Sequence, residues 1–141
     1  MARSTYPDLN VESGATQVQS RSMLQGLIQS LRPQQWTKNL FVLAALPFGL
    51  KLFDTAAVAL ALAAFVVFCA LSGVVYLVND LYDREADRLH PVKRMRPIAA
   101  GVLAPGTAAM AAALIAAGAL GAALAIGPRF AAAAAAYLTL F

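Results

Sequence analysis

Residues 55–87 read TAAVALALAAFVVFCALSGVVYLVNDLYDREAD, an uncharged apolar run that ends in a dense acidic turn. From Ala56 to Val78 a helix would be roughly 35 Å long, enough to cross a bilayer and carry the acidic turn to the interface. Four of the chain's seven acidic residues fall between Asp80 and Asp87. At about 100° per residue, with Asn79 at zero, Asp83 lies near 40°, Tyr76 near 60°, Asp87 near 80° and Asp80 near 100°. One helix face is therefore expected to carry an amide, a phenol and three carboxylates, whereas Glu85 points away. Clustered carboxylates repel unless a cation neutralises them, and oxygen ligands of this kind suit Mg²⁺, which shares its shell with waters and a substrate phosphate.

The composition places this turn in a membrane setting. The chain has 141 residues, 60% hydrophobic and 13% charged, with a mean hydropathy of +0.67. No charge occurs from Thr55 to Asn79 or from Pro97 to Pro128, and each run exceeds the roughly 20 apolar residues that span a bilayer. The expected fold class is an all-α membrane protein. Its net charge of +4 reflects orientation rather than nucleic-acid binding, because the bases are not interleaved with aromatics on a soluble face. The lone Cys69 lies within an apolar run and reads as a small packing residue.

Outward from the acidic turn, residues 1–20 are polar and without periodicity, and are expected to form a disordered tail rather than a signal peptide. Residues 21–33 predict an interfacial amphipathic helix, with Met23, Leu24, Leu27, Ile28 and Leu31 at helical spacing and a break at Arg32-Pro33. Residues 34–141 then hold a first span at about 35–50, kinked by Pro47, a second at 55–79 and a third at about 107–126. The third is rich in Ala, with Gly118 and Gly121, which suits close helix packing. A fourth segment, 130–141, would rise only about 18 Å, so it reads as a helix truncated in mid-span. In this arrangement nine bases lie on one side, Arg3, Arg21, Arg32, Lys38, Arg84, Arg88, Lys93, Arg94 and Arg96, against Lys51 and Arg129 on the other. That asymmetry places the acidic turn and the basic loop after it in the cytoplasm.

Carboxylates followed within a few residues by Lys93, Arg94 and Arg96 make a site of mixed sign. A metal-bound diphosphate needs both signs, so the chemistry suggested is departure of a pyrophosphate leaving group. Lys38 and Asn39, on the same side, could reach such a site, and Tyr76 could pack there or donate a hydrogen bond. The competing structural reading is a solvated, salt-bridged helix end in which Arg84 occupies Asp80 four residues away, while the basic loop sets topology. His90, beside Pro91, reads as a loop residue.

The motif Asn79-Asp80-x-x-Asp83-x-x-x-Asp87 resembles the first aspartate-rich motif of the UbiA-like superfamily of intramembrane prenyltransferases. Leu31-Arg32-Pro33-Gln34-Gln35-Trp36-Thr37-Lys38-Asn39 and the stretch from Asp87 to Gly101 resemble the branch that moves 5-phosphoribose from phosphoribosyl diphosphate to decaprenyl phosphate. That resemblance implies a bundle of about nine membrane helices with a cytoplasmic cavity. It implies that Asn79, Asp83 and Asp87 bind Mg²⁺ and the donor diphosphate with support from Asp80. Lys93, Arg94 and Arg96 would contact phosphates. The lipid phosphate would attack the anomeric carbon, and the product would feed cell-wall arabinan synthesis. Two alternatives stand beside it: a prenyltransferase acting on an aromatic or other acceptor, and a non-catalytic membrane assembly module. Family members carry a second polar motif later in the bundle, so the 141-residue chain alone is expected to be inactive. Oligomeric state is left open, a homo-oligomer included.

Overall fold

The computed structural model describes residues 22–140, and the expected tail at 1–20 lies outside them. The described residues are helical, with no strand. Helix α1 covers residues 22–30, and a 3₁₀ helix over Pro33–Ala44 runs into the four-residue α2, Ala45–Phe48. The long α3, Thr55–Tyr82, is followed by the short α4, Arg84–Leu89, and then α5, Pro105–Ile126, and α6, Pro128–Leu140. Two of these, α3 and α5, are long and apolar enough to cross a membrane.

Each boundary has a local cause. Asp54 caps α3, its carboxylate accepting from the backbone N–H groups of Ala56 and Ala57 at 3.1 Å each. Pro105 opens α5 in the first turn, where its missing N–H costs nothing. The segment expected as a first α-helical span is instead mostly 3₁₀. At about 2.0 Å per residue, twelve such residues and one α turn reach roughly 30 Å, close to the hydrocarbon thickness. None of its residues is buried, and Phe41 and Phe48 are 85% and 89% exposed.

Two apolar clusters hold the bundle. Towards its middle, Val67 and Leu71 of α3 meet Ala119 and Ala123 of α5 and Ala131 and Ala134 of α6. Phe68 stacks edge-on against Phe130 and Tyr137 at 5.7 and 5.5 Å. These alanines bring three helices into close contact, as a small-residue interface should. At the acidic end, Val74 and Leu77 pack on Ala108 and Ala112, and on Ile98 and Leu103 of the loop between α4 and α5. Ile98 and Leu103 are 1% and 0% exposed, so the loop carrying Lys93, Arg94 and Arg96 is pinned to the core.

Helix α1 docks on this end through its smallest side. Gly26 and Ser30 are buried, and Leu27 and Leu31 join the second cluster, whereas Met23, Leu24 and Ile28 face outward. A Cβ on Gly26 would stand 3.3 Å from Pro97 Cβ and Val102 Cγ1. One on Gly73 would stand 2.8 Å from Leu31 Cδ2. Glycine at these two positions lets α1 and its exit lie against the loop and α3.

Candidate functional site

At the acidic end the motif does not remain one helix face. Helix α3 stops at Tyr82, and Asp83, at φ −84° and ψ 0°, joins it to α4. The chain stays close to helical, with the Asp83 N–H bonded to Asn79 O at 2.9 Å and the Asp87 N–H to Asp83 O at 2.8 Å. The four positions nevertheless separate into two pairs. Asp80 and Asp87 are each 2% exposed, while Asn79 and Asp83 are exposed.

The buried pair is bound by arginine. Arg32 Nη2 donates to Asp80 Oδ1 at 2.7 Å, and Arg96 Nη1 approaches the same oxygen at 3.2 Å. Arg96 Nη1 also donates to Asp87 Oδ2 at 2.7 Å. The resulting order, Arg32, Asp80, Arg96, Asp87, alternates charge through the buried end of the bundle. It offsets the cost of placing two carboxylates out of water. Arg32 additionally lies over the Tyr76 ring, with Cζ 4.6 Å from the centroid. The Asp80–Arg84 pairing of the competing structural reading is not formed. Arg84 and Arg88 both turn to Glu85, at 3.1 and 3.0 Å, because Glu85 is on the exposed side with them.

The exposed pair is open. Asn79 and Asp83, one helical turn apart, have no side-chain hydrogen bond or ion pair among the described residues. Asn79 borders a small apolar recess with Val74, Val75, Val78 and Leu138 of α6. No group of three or more His, Cys, Asp or Glu side chains converges among the described residues.

A polar cavity of about 380 Å³ opens beside the buried network. Its polar lining is Gln29, Arg32, Gln34, Gln35, Asp80, Lys93 and Arg96. Lys93 and Arg96, two of the bases expected to contact phosphates, line this cavity. Tyr76 reaches the site only as the platform beneath Arg32. Lys38 and Arg94 are exposed and line none of it. Asn39 turns into the bundle instead, its Nδ2 3.3 Å from Ser72 Oγ and 3.5 Å from Cys69 Sγ. His90 accepts the Val92 and Lys93 N–H groups on Nδ1 at 3.2 and 3.3 Å, which shapes the turn that presents Lys93.

Arg32 is the residue that sequence reasoning undervalued, treating it as one half of a helix-ending Arg-Pro pair. Its backbone is left-handed, φ 50° and ψ 62°. A side chain with a Cβ rarely adopts that conformation, and a following proline steers a residue away from helical backbone angles altogether. The Asp80 bond and the Tyr76 ring hold it there.

The profile of the UbiA prenyltransferase family matches residues 39–141. The chain is 49% identical over 109 residues to a decaprenyl-phosphate phosphoribosyltransferase of Corynebacterium glutamicum, covering 75% of this chain and 33% of that protein. It is 47% identical over 100 residues to the decaprenyl-phosphate phosphoribosyltransferase of Mycolicibacterium smegmatis, covering 67% and 31%. It is 46% identical over 86 residues to that of Mycobacterium tuberculosis, covering 58% and 28%. The chain thus spans about a third of the length of these relatives. With its aspartate motif at the end of an apolar helix and the family profile extending over residues 39–141, the chain belongs to the UbiA prenyltransferase family of membrane proteins.

Proposed function

We propose that this chain supplies the N-terminal, phosphate-binding part of a polyprenyl-phosphate phosphoribosyltransferase. Residues 34–141 form part of the transferase domain, and the reaction moves 5-phosphoribose from phosphoribosyl diphosphate to decaprenyl phosphate for arabinan precursor synthesis. The single observation that carries the reading is a cavity lined by Arg32, Lys93 and Arg96 together with Asp80 of the aspartate motif, whose Asn79 and Asp83 are exposed. The relatives' names point the same way.

The four motif residues differ in how well they suit Mg²⁺. Asn79 and Asp83 fit: both are oxygen donors, exposed and one turn apart, and Mg²⁺ is commonly held by one or two carboxylates plus substrate phosphates. Asp80 and Asp87 fit less well, because each already holds a guanidinium. When bound, the ion would supply charge neutralisation on the departing diphosphate.

The chain's own residues do the rest. Lys93 and Arg96 take the negative charge of a substrate phosphate. The pinned 97–103 loop holds them in place, which reduces the ordering cost of binding. A lipid phosphate oxygen attacks the anomeric carbon, and that carbon's bond to the diphosphate oxygen breaks, the electron pair leaving with pyrophosphate. A phosphate monoester is already ionised near neutral pH, so none of these residues needs to remove a proton from the nucleophile. The excess of bases at this end supports a site on the cytoplasmic side of the plasma membrane.

The test uses membranes carrying the full gene product, Mg²⁺ and polyprenyl phosphate, with labelled phosphoribosyl diphosphate in one arm. Labelled prenyl diphosphate and an aromatic acceptor form the other arm. Phosphoribosyl lipid in the first arm is the expected result. Product in the second arm alone would replace this reading with prenyl transfer.

A further inference from the structure

The buried arginine network and the open Asn79–Asp83 pair offer different chemistry, and the difference assigns each a ligand. The cavity presents three cations, Arg32, Lys93 and Arg96, and a single carboxylate, Asp80, whose Oδ1 is already shared by both guanidinia. A metal ion in this cavity would face three cations against one carboxylate. An anion finds unused donors: of the nitrogens of Arg32 and Arg96 only Nη2 of Arg32 and Nη1 of Arg96 are engaged by carboxylates, and the Lys93 amine has no partner among the described residues. The amides of Gln29, Gln34 and Gln35 add neutral donors around the same space. The unfavourable Arg32 backbone is maintained where the guanidinium meets both Asp80 and the cavity, as strain retained at a ligand site would be.

We propose that Arg32, Lys93 and Arg96 form a metal-independent subsite for a phosphate monoester, separate from the metal–diphosphate position at Asn79 and Asp83. Asp80 and Asp87 are positioning residues in this scheme: they hold the two guanidinia at the cavity and do not ligate the metal. The inference rests on the phosphoribosyl-transfer reading, whose two substrates each carry a phosphate monoester, one on the sugar and one on the lipid. A planar guanidinium and a flexible ammonium together suit a phosphate dianion with three acceptor oxygens.

The experiment measures equilibrium binding of two probes, ribose 5-phosphate and farnesyl phosphate, to the full gene product in nanodiscs with EDTA present. At least one probe should bind without metal. Lys93→Gln, at an exposed and unpartnered residue, should weaken it about tenfold. Arg32→Gln should weaken it further, Arg32→Lys should restore part of the loss, and Asp83→Asn should leave metal-free affinity unchanged. Preference for ribose 5-phosphate identifies the sugar phosphate as the occupant, and preference for farnesyl phosphate identifies the lipid head. Binding that requires Mg²⁺, or that ignores both Lys93→Gln and Arg32→Gln, overturns the proposal. Turnover of phosphoribosyl diphosphate is scored in parallel. If no phosphoribosyl lipid forms, the transferase reading falls by itself, whereas normal turnover without metal-free binding removes only this subsite.

Discussion

Arg32 Nη2 lies 2.7 Å from Asp80 Oδ1, joining the exit of α1 to the end of α3 across 48 residues of sequence. The carboxylate is 2% exposed and the arginine 29%, so the pair is screened on one side only. Removing the carboxylate leaves two arginines without their shared partner at a protein-enclosed position. Asp80→Ala should therefore lower stability by about 2–4 kcal/mol, discounted for the partly exposed arginines. Thermal unfolding in nanodiscs checks this, and Asp80→Asn, which keeps a hydrogen-bond acceptor, should lose less.

Gly73 reports on the same docking from the apolar side. Its missing Cβ would stand 2.8 Å from Leu31 Cδ2, the movable end of a side chain, and 3.6 Å from Leu31 O, which cannot swing away. Gly73→Ala should be close to neutral, because the leucine tip can rotate. Gly73→Leu should cost about 1–3 kcal/mol and displace residues 31–36 from α3. Protease sensitivity near Arg32, together with unfolding temperature, measures both effects.

The fold was legible where hydrophobic runs were long. The uncharged stretches before Asp80 and after Pro97 correspond to α3 and α5, since apolar length alone decides a spanning helix. The winding of Pro33–Ala44 was not legible. A 3₁₀ and an α helix draw on the same residues, so the sequence carries no signal that separates them here. The aspartate motif was visible as chemistry but not as geometry. Helical angles put Asp80, Asp83 and Asp87 together, whereas the junction at Asp83 and two distant arginines sort them into buried and open pairs. Arg32 and Arg96 lie 64 positions apart and carry no periodicity that links them; only the folded chain brings both to Asp80.

Asp54 gives a pH-dependent prediction. Hydrogen bonds from the Ala57 and Ala56 N–H groups, together with Lys51, hold its carboxyl below the ordinary value of 3.8, against a smaller opposing effect of desolvation. A depressed folded-state value means that the cap's contribution is full above the unfolded value and is lost as pH falls through the folded one. Comparing wild type with Asp54→Asn isolates this group, since asparagine caps without titrating. The two should unfold similarly near pH 7, and wild type should lose more stability than the variant as the pH drops below about 3.9.

Asp83 gives the catalytic counterpart. As an exposed carboxylate with no protein cation among the described residues, it is free to serve the ion in the proposed mechanism. Asp83→Asn should reduce turnover on the order of 10²-fold and raise the Mg²⁺ concentration for half-maximal rate, with little change in unfolding temperature. A rate loss that tracks a stability loss instead would mark Asp83 as structural.

The central claim is transfer of the phosphoribosyl group itself, and a doubly labelled donor tests it most directly. Phosphoribosyl diphosphate carrying ¹⁴C in the ribose and ³²P in the terminal phosphate is supplied with polyprenyl phosphate to the full gene product. The account predicts ¹⁴C in the lipid extract and all of the released ³²P in inorganic pyrophosphate, in equal amounts. Terminal ³²P in the lipid, or no ¹⁴C there at all, would contradict it.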